Sequence, residues 1–165
     1  MRYRKMAMTA LVLATLTGAA NAQDVLIDLS TPEQVASALQ GAGYKAEMKK
    51  NDEGAFYILS AANGSGFTVD MTDCKALKCN GLSIQSYYEA EPLFTNAMVN
   101  DWNQNNRFLK VSLNEKGQLR EWFDIDTLGK LTKANFADLI DWYVTMDANL
   151  ARFVKEKRDA AKGAK

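Results

Sequence analysis

The stretch NDEGAFYILSAANGSGFTVDM, residues 51–71, decides how the fold is read. Asn51-Asp52-Glu53-Gly54 and Asn63-Gly64-Ser65-Gly66 have the composition of tight turns, because their residues tolerate the backbone angles a reversal needs. Between and after them lie Ala55–Ala61 and Phe67–Met71, short and rich in aromatic and β-branched residues. In the first, Phe56 and Ile58 point one way and Tyr57 and Leu59 the other, which predicts a strand covered on both faces. In the second, Phe67, Val69 and Met71 alternate with Thr68, Asp70 and Thr72, which predicts one wet face. Connections this short join antiparallel neighbours, so the centre of the molecule reads as an antiparallel sheet.

Working outward, Tyr44–Lys50 precedes these strands as a weaker strand, and Leu82, Ile84 and Tyr88 continue the sheet after a loop bounded by Cys74 and Cys79. Upstream, Thr31-Pro32-Glu33-Gln34 announces a helix: Thr31 as N-cap, Pro32 at the first helical position, Gln34 at the capping-box position. Val35, Ala38 and Leu39 give it an apolar stripe, and Gly41 or Gly43 ends it. Residues 24–29 read as a brief strand or an ordered arm. Downstream, Pro92 starts a second predicted helix, with Leu93, Phe94, Ala97, Met98 and Trp102 on one face and the polar run Asn103–Asn106 closing it. Arg107–Leu113 and Gln118–Ile125 flank Asn114-Glu115-Lys116-Gly117 as a hairpin. Thr132 then caps a long helix from about Lys133 to about Lys155, whose stripe is Phe136, Leu139, Ile140, Tyr143, Met146, Leu150 and Phe153. The basic tail 155–165 is expected to fray into solvent. The element order is α-β-β-β-β-α-β-β-α, an α+β single domain over residues 23–154 with helices packed on an antiparallel sheet.

Composition narrows the chemistry. The 165 residues are 47% hydrophobic and 24% charged and include no histidine, as in one ordinary globular domain. Without histidine there is no Ser-His-Asp triad, Cys-His dyad, histidine-held haem or imidazole zinc site. Two cysteines cannot build a four-thiolate metal site, and no cofactor is expected.

The N-terminus has the three parts of a secretory leader. Arg2, Arg4 and Lys5 precede the uncharged run Met6–Ala19, and Ala20-Asn21-Ala22 supplies the small residues of a cleavage site between Ala22 and Gln23. The run is shorter than the roughly 20 residues a membrane-spanning helix requires. No cysteine follows it to take a lipid, and Tyr3 separates the arginines, so the twin-arginine signal is absent. Residues 1–22 are therefore expected to be removed and the protein to be periplasmic or secreted, without membrane insertion after cleavage. Cleavage takes away three basic residues and no acidic one, leaving the mature chain net acidic by three. That balance argues against nucleic acid as a partner.

In an oxidising compartment Cys74 and Cys79 are expected to pair, closing a hairpin loop worth about 2 kcal/mol by chain entropy. Their spacing differs from the C-x-x-C of redox enzymes. The acids Asp70, Asp73, Asp124 and Asp126 lie near strand ends. They could serve a carboxylate-based hydrolase or bind calcium, but the spacing of a calcium loop is absent, and solvated strand faces account for them. Trp102 and Tyr143 sit on apolar stripes and read as core, whereas Trp142, Tyr87 and Tyr88 could line a groove. Trp122 shares a strand face with Arg120 and Asp124, while Leu119, Glu121, Phe123 and Ile125 share the other. A large ring between two charges suits an interface, so Trp122, with Arg120 and Arg107, is the expected partner surface.

Several elements in order carry a family likeness. Thr31-Pro32-Glu33-Gln34-Val35 opens the first helix, and Leu39 stands four residues before Gly43-Tyr44. Trp102-Asn103 ends the middle helix, Arg107-Phe108 opens the next strand, and Asp124-Ile125-Asp126 precedes the last helix. From about Ser30 to Phe153 the chain resembles the YbjN domain family, described as bacterial sensory transduction regulators. The resemblance implies a type III secretion chaperone-like fold and supplies no catalytic residues. The leader and the cysteine pair depart from the simplest members, so a cytoplasmic role does not transfer. The expected function is a non-enzymatic module that binds a protein. A homodimeric structural or chaperone-like envelope protein is the alternative use of the same surface, and a hydrolase is the rival class.

Overall fold

The computed structural model describes residues 25–76 and 78–163. The leader and its cleavage site at Ala22 and Gln23 lie outside the described residues. In chain order the elements are β1 (Leu26–Ile27), α1 (Pro32–Gly41), β2 (Glu47–Lys50), β3 (Phe56–Ala62), β4 (Ser65–Lys75), β5 (Lys78–Tyr88), α2 (Asn96–Asn105), β6 (Lys110–Leu113), β7 (Leu119–Asp126), β8 (Leu131–Thr132) and α3 (Lys133–Gly163). The architecture is α+β. Six strands form one antiparallel sheet in the order β2-β3-β4-β5-β7-β6, and β1 pairs with β8 in a separate ribbon.

Local chemistry sets the helix starts. Thr31 Oγ1 accepts from the Gln34 N–H while Gln34 Oε1 accepts from the Thr31 N–H at 3.1 Å, closing the capping box ahead of α1. Thr132 does the same service for α3, its hydroxyl accepting from the Asn135 N–H at 3.0 Å. The middle helix differs from expectation. It starts at Asn96 rather than at Pro92, because Thr95 is its N-cap and accepts from the Met98 N–H at 3.2 Å. Residues 91–94 instead form a turn, with Phe94 N–H bonded to Glu91 O at 3.0 Å and the Phe94 ring edge-on to Tyr88.

β6 is shorter than the sequence suggests. Phe108 takes a φ of 62°, a left-handed conformation that breaks the extended run begun at Arg107. Trp102 Nε1 donates to Leu109 O at 3.1 Å. The Asn103 side chain accepts from Val111 N–H at 3.0 Å and donates to Val111 O at 2.9 Å. This amide pairs with part of the free edge of β6, where an unpaired edge would template association with another strand.

The last helix runs past Lys155, where the sequence suggests its end, and α3 continues to Gly163. Val154 is fully buried, Lys157 Nζ reaches Asp101 at 2.9 Å and Arg158 holds Glu91 with two nitrogens. Lys157 and Arg158 are thus paired with acids of α2 and of the turn before it, while Lys155 bonds Asp159 within α3.

The core lies on one face of the sheet. Val35 and Leu39 of α1, Met98 and Trp102 of α2, and Phe136, Ile140, Tyr143, Leu150 and Val154 of α3 pack with Ile58, Phe67, Val69, Leu82, Ile84, Leu119, Phe123 and Ile125. β3 lies inside the strand order, yet only one of its faces is covered. Ile58 and Ser60 are buried, but Leu59 is 37% exposed, which corrects the expectation of cover on both faces. The cysteines are joined across the β4–β5 hairpin with an S–S distance of 2.04 Å. Cys79 N–H donates to Ser30 O at 2.9 Å, which ties this hairpin to the residue preceding the α1 cap.

Candidate functional site: the helix-free face of the sheet

Strand register brings distant residues into rows on the open face. One row crosses all six strands: Lys110, Trp122, Gln85, Thr68, Leu59 and Glu47. Beside it Asp124, Ser83, Asp70, Tyr57 and Lys49 form a second. Arg120, opposite Tyr87 and Ser112, begins a third. Alternation along β7 explains why this face is polar with a few large rings. Leu119, Glu121, Phe123 and Ile125 point to the core, while Arg120 and Trp122 are half-buried and Asp124 is exposed.

Trp122 and Arg120 are brought together as the alternation predicts. The Arg120 guanidinium carbon lies 5.2 Å from the centroid of the Trp122 ring, a cation–π arrangement. Arg120 Nε donates to Gln85 Oε1 at 2.8 Å, and the Gln85 amide donates in turn to Asp70. Thr68 Oγ1 also donates to Asp70, at 3.4 Å, and the Tyr87 hydroxyl donates to Gln85 Oε1 at 3.4 Å. The chain Arg120–Gln85–Asp70 pre-orients the guanidinium over the indole. Tyr87, 51% exposed, Leu59 and the half-buried Tyr57 add to the apolar content of the face. Such a surface, a ring held by an ordered polar network with solvated charges around it, suits reversible contact with another macromolecule.

Arg107 is not part of this network. It is exposed in the bend before β6, and its neighbour Phe108 turns to the helix side, 5.0 Å from the Trp142 ring and 6.3 Å from Phe123. Trp142 is therefore exposed on α3, on the other side of the sheet from Trp122. Trp102 and Tyr143 are core, as their stripes predict. The exposed acids have separate local duties. Asp73 accepts from the Asn80 amide at 3.2 Å, and Asp126 accepts from the Leu128 N–H at 2.9 Å in the turn after β7.

Sequence reasoning missed an acid pair under α3. Glu121 is fully buried, and its Oε1 accepts from the Tyr143 hydroxyl at 3.0 Å. Burial first, and then the charge of Asp147, push its carboxyl up to about 8, against the opposing effect of the Tyr143 hydrogen bond. Burial also raises Asp147, and burial followed by the charge of Glu121 raises Tyr143 and Tyr88. The signal was present in the alternation: Glu121 is the lone charged residue on the apolar face of its strand. Glu121 is closed off from solvent, whereas Asp147 is half-buried.

The family model for YbjN, described as "Putative bacterial sensory transduction regulator", matches residues 31–154. The chain belongs to the YbjN family. The same fold is found in a solved relative, "YbjN, a putative transcription regulator from E. coli". That crystal structure superposes with a TM-score of 0.52 over 76% of this chain and 96% of its own, at 14% identity, a likeness of fold. No curated protein matches the chain. The matched span runs from the α1 cap to Val154 and so takes in every row of the open face. It ends before the last turns of α3, where Lys157 and Arg158 make their cross-links.

Proposed function

We propose that this YbjN-family member is an exported, non-catalytic regulatory module that binds a protein through the helix-free face of its sheet. The observation that supports this reading above others is the Trp122–Arg120 stack. It stands on a six-stranded face that no described helix covers, within a row of side chains running from Lys110 to Glu47. Burying the indole and the rings of Tyr87 and Tyr57 would supply the apolar centre of a contact, and the Arg120–Gln85–Asp70 chain its oriented polar rim. Export is supported by the leader of residues 1–22 and by the Cys74–Cys79 disulfide, a bond that persists in oxidising compartments.

A photoreactive side chain placed at position 122 in the full chain, expressed in its native bacterial envelope, tests the reading. The control is the same probe at Asn149, an exposed position of α3. A discrete adduct from position 122 and none from 149 is expected. An adduct of twice the protein's own mass would assign the face to self-association. Equal labelling at both positions, or none at 122, would contradict a binding role for this face. Intact mass of the same preparation is expected to begin at Gln23, and retention of residues 1–22 would overturn the export part of the proposal.

A further inference from the structure

Glu121 occupies the centre of β7 and presents its carboxyl to α3. Tyr143 hydrogen-bonds one oxygen, and the other, Oε2, is buried without a donor. Asp147 follows Tyr143 by one helical turn on the same face of α3, and its carboxyl comes within hydrogen-bonding reach of Glu121. The described ion pairs are Lys49–Glu47, Lys155–Asp159, Lys157–Asp101 and Arg158–Glu91, so none brings a cation to this pair. Glu121 is wholly buried and Asp147 half-buried, so carrying two charges here is unfavourable: each carboxylate disfavours ionisation of the other, and burial disfavours both. A single proton resolves the conflict. On either acid it supplies the donor that Oε2 lacks and removes one charge.

We propose that Glu121 and Asp147, with Tyr143, form a proton-operated latch between β7 and α3: one shared proton clamps the helix to the sheet, and its loss releases the helix.

The surroundings fix the sign. From β5, Ser86 stands opposite Glu121 in the strand register and Tyr88 faces it as a neutral phenol. From β6, the residue opposite is Val111, which is apolar. From α3 come Tyr143, Asp147 and Arg158, the last facing Tyr88 while bonded to Glu91. Folding thus raises the proton affinity of the pair above that of free carboxyls. The resulting stability is complete below the ordinary glutamate range and falls as pH climbs from there toward the folded value of about 8. For one proton, the folding equilibrium constant drops about tenfold per pH unit across that window. Glu91 and Asp101, held low by Arg158 and Lys157, act with the opposite sign and below the ordinary carboxylate range.

Urea midpoints of the wild type and of Glu121→Gln, taken between about pH 5 and about pH 8, test the latch. The wild-type midpoint is expected to fall steadily as pH rises, with faster amide exchange along α3, and the Gln variant to lose most of that slope. A flat wild-type profile, or an unchanged slope in the variant, would overturn the proposal. Should the variant fail to fold, carbon-13 titration of the wild-type glutamate carboxyls decides the matter. One carboxyl titrating far above the rest is expected, and uniform titration in the ordinary range would refute the latch.

Discussion

Phe136→Ala is expected to destabilise the domain by about 3–5 kcal/mol. Phe136 heads the buried stripe of α3, is 1% exposed, and belongs to the same core as Val35 and Leu39 of α1. The loss combines the transfer free energy of the ring with the cavity left behind, because the flanking helix and sheet relax only in part. Residues on the other side of the same helical turn, such as Asp138, are exposed and should be insensitive by comparison. The urea midpoint measures the effect. A midpoint equal to that of wild type would show that this side of α3 does not pack on the sheet.

Trp102→Ala is expected to cost about 4–5 kcal/mol, the upper part of the range for a buried aromatic. Trp102 is 3% exposed, its ring lies 5.5 Å from that of Phe153 on α3, and its Nε1 donates to Leu109 O. Truncation therefore opens a cavity and also strips a buried carbonyl of its donor just where the chain enters β6. Trp102→Phe should recover much of the packing and none of the hydrogen bond, landing between alanine and wild type. Equal midpoints for the alanine and phenylalanine variants would show that ring packing contributes little at this site.

Much of this core was legible because its periods are local. The 3.6-residue stripe from Phe136 to Phe153 and the two-residue alternation of β7 each assign a face without knowledge of any partner. Thr31-Pro32-Glu33-Gln34 specifies its own helix start, and Cys74 and Cys79 sit on the two strands of one hairpin. What was not legible depends on distant partners. Lys157 and Arg158 read as a solvated tail until Asp101 and Glu91, more than fifty residues upstream, are seen beside them. Glu121 and Asp147 lie on different elements, so their meeting follows from the crossing of α3 over β7 rather than from spacing. β1 and β8 hold two residues each, too few for any period, and exist because the two chain segments meet. Apolar residues fill both faces of β3, a pattern that predicts cover on each. Its exposed Leu59 instead belongs to the open surface.

The proposed partner surface divides in the same way. Alternation puts Trp122 and Arg120 on one face, where they stack, whereas Arg107, expected to act from beside Trp102, lies in the bend that the left-handed Phe108 makes before β6. The network that orders the stack, through Gln85 to Asp70, spans three strands and could not be read from any one of them.

The urea midpoint and the association state of a single Trp122→Ala variant, measured together on the folded protein, test the central claim most directly. Trp122 lies half-buried on the open face, so its truncation should leave the midpoint close to wild type. It should reduce capture of the protein cross-linked at this position, or the fraction of dimer if the partner is a second copy. A variant destabilised by about 3–5 kcal/mol with association unchanged would show that Trp122 is a packing residue and that the helix-free face is not where this protein binds.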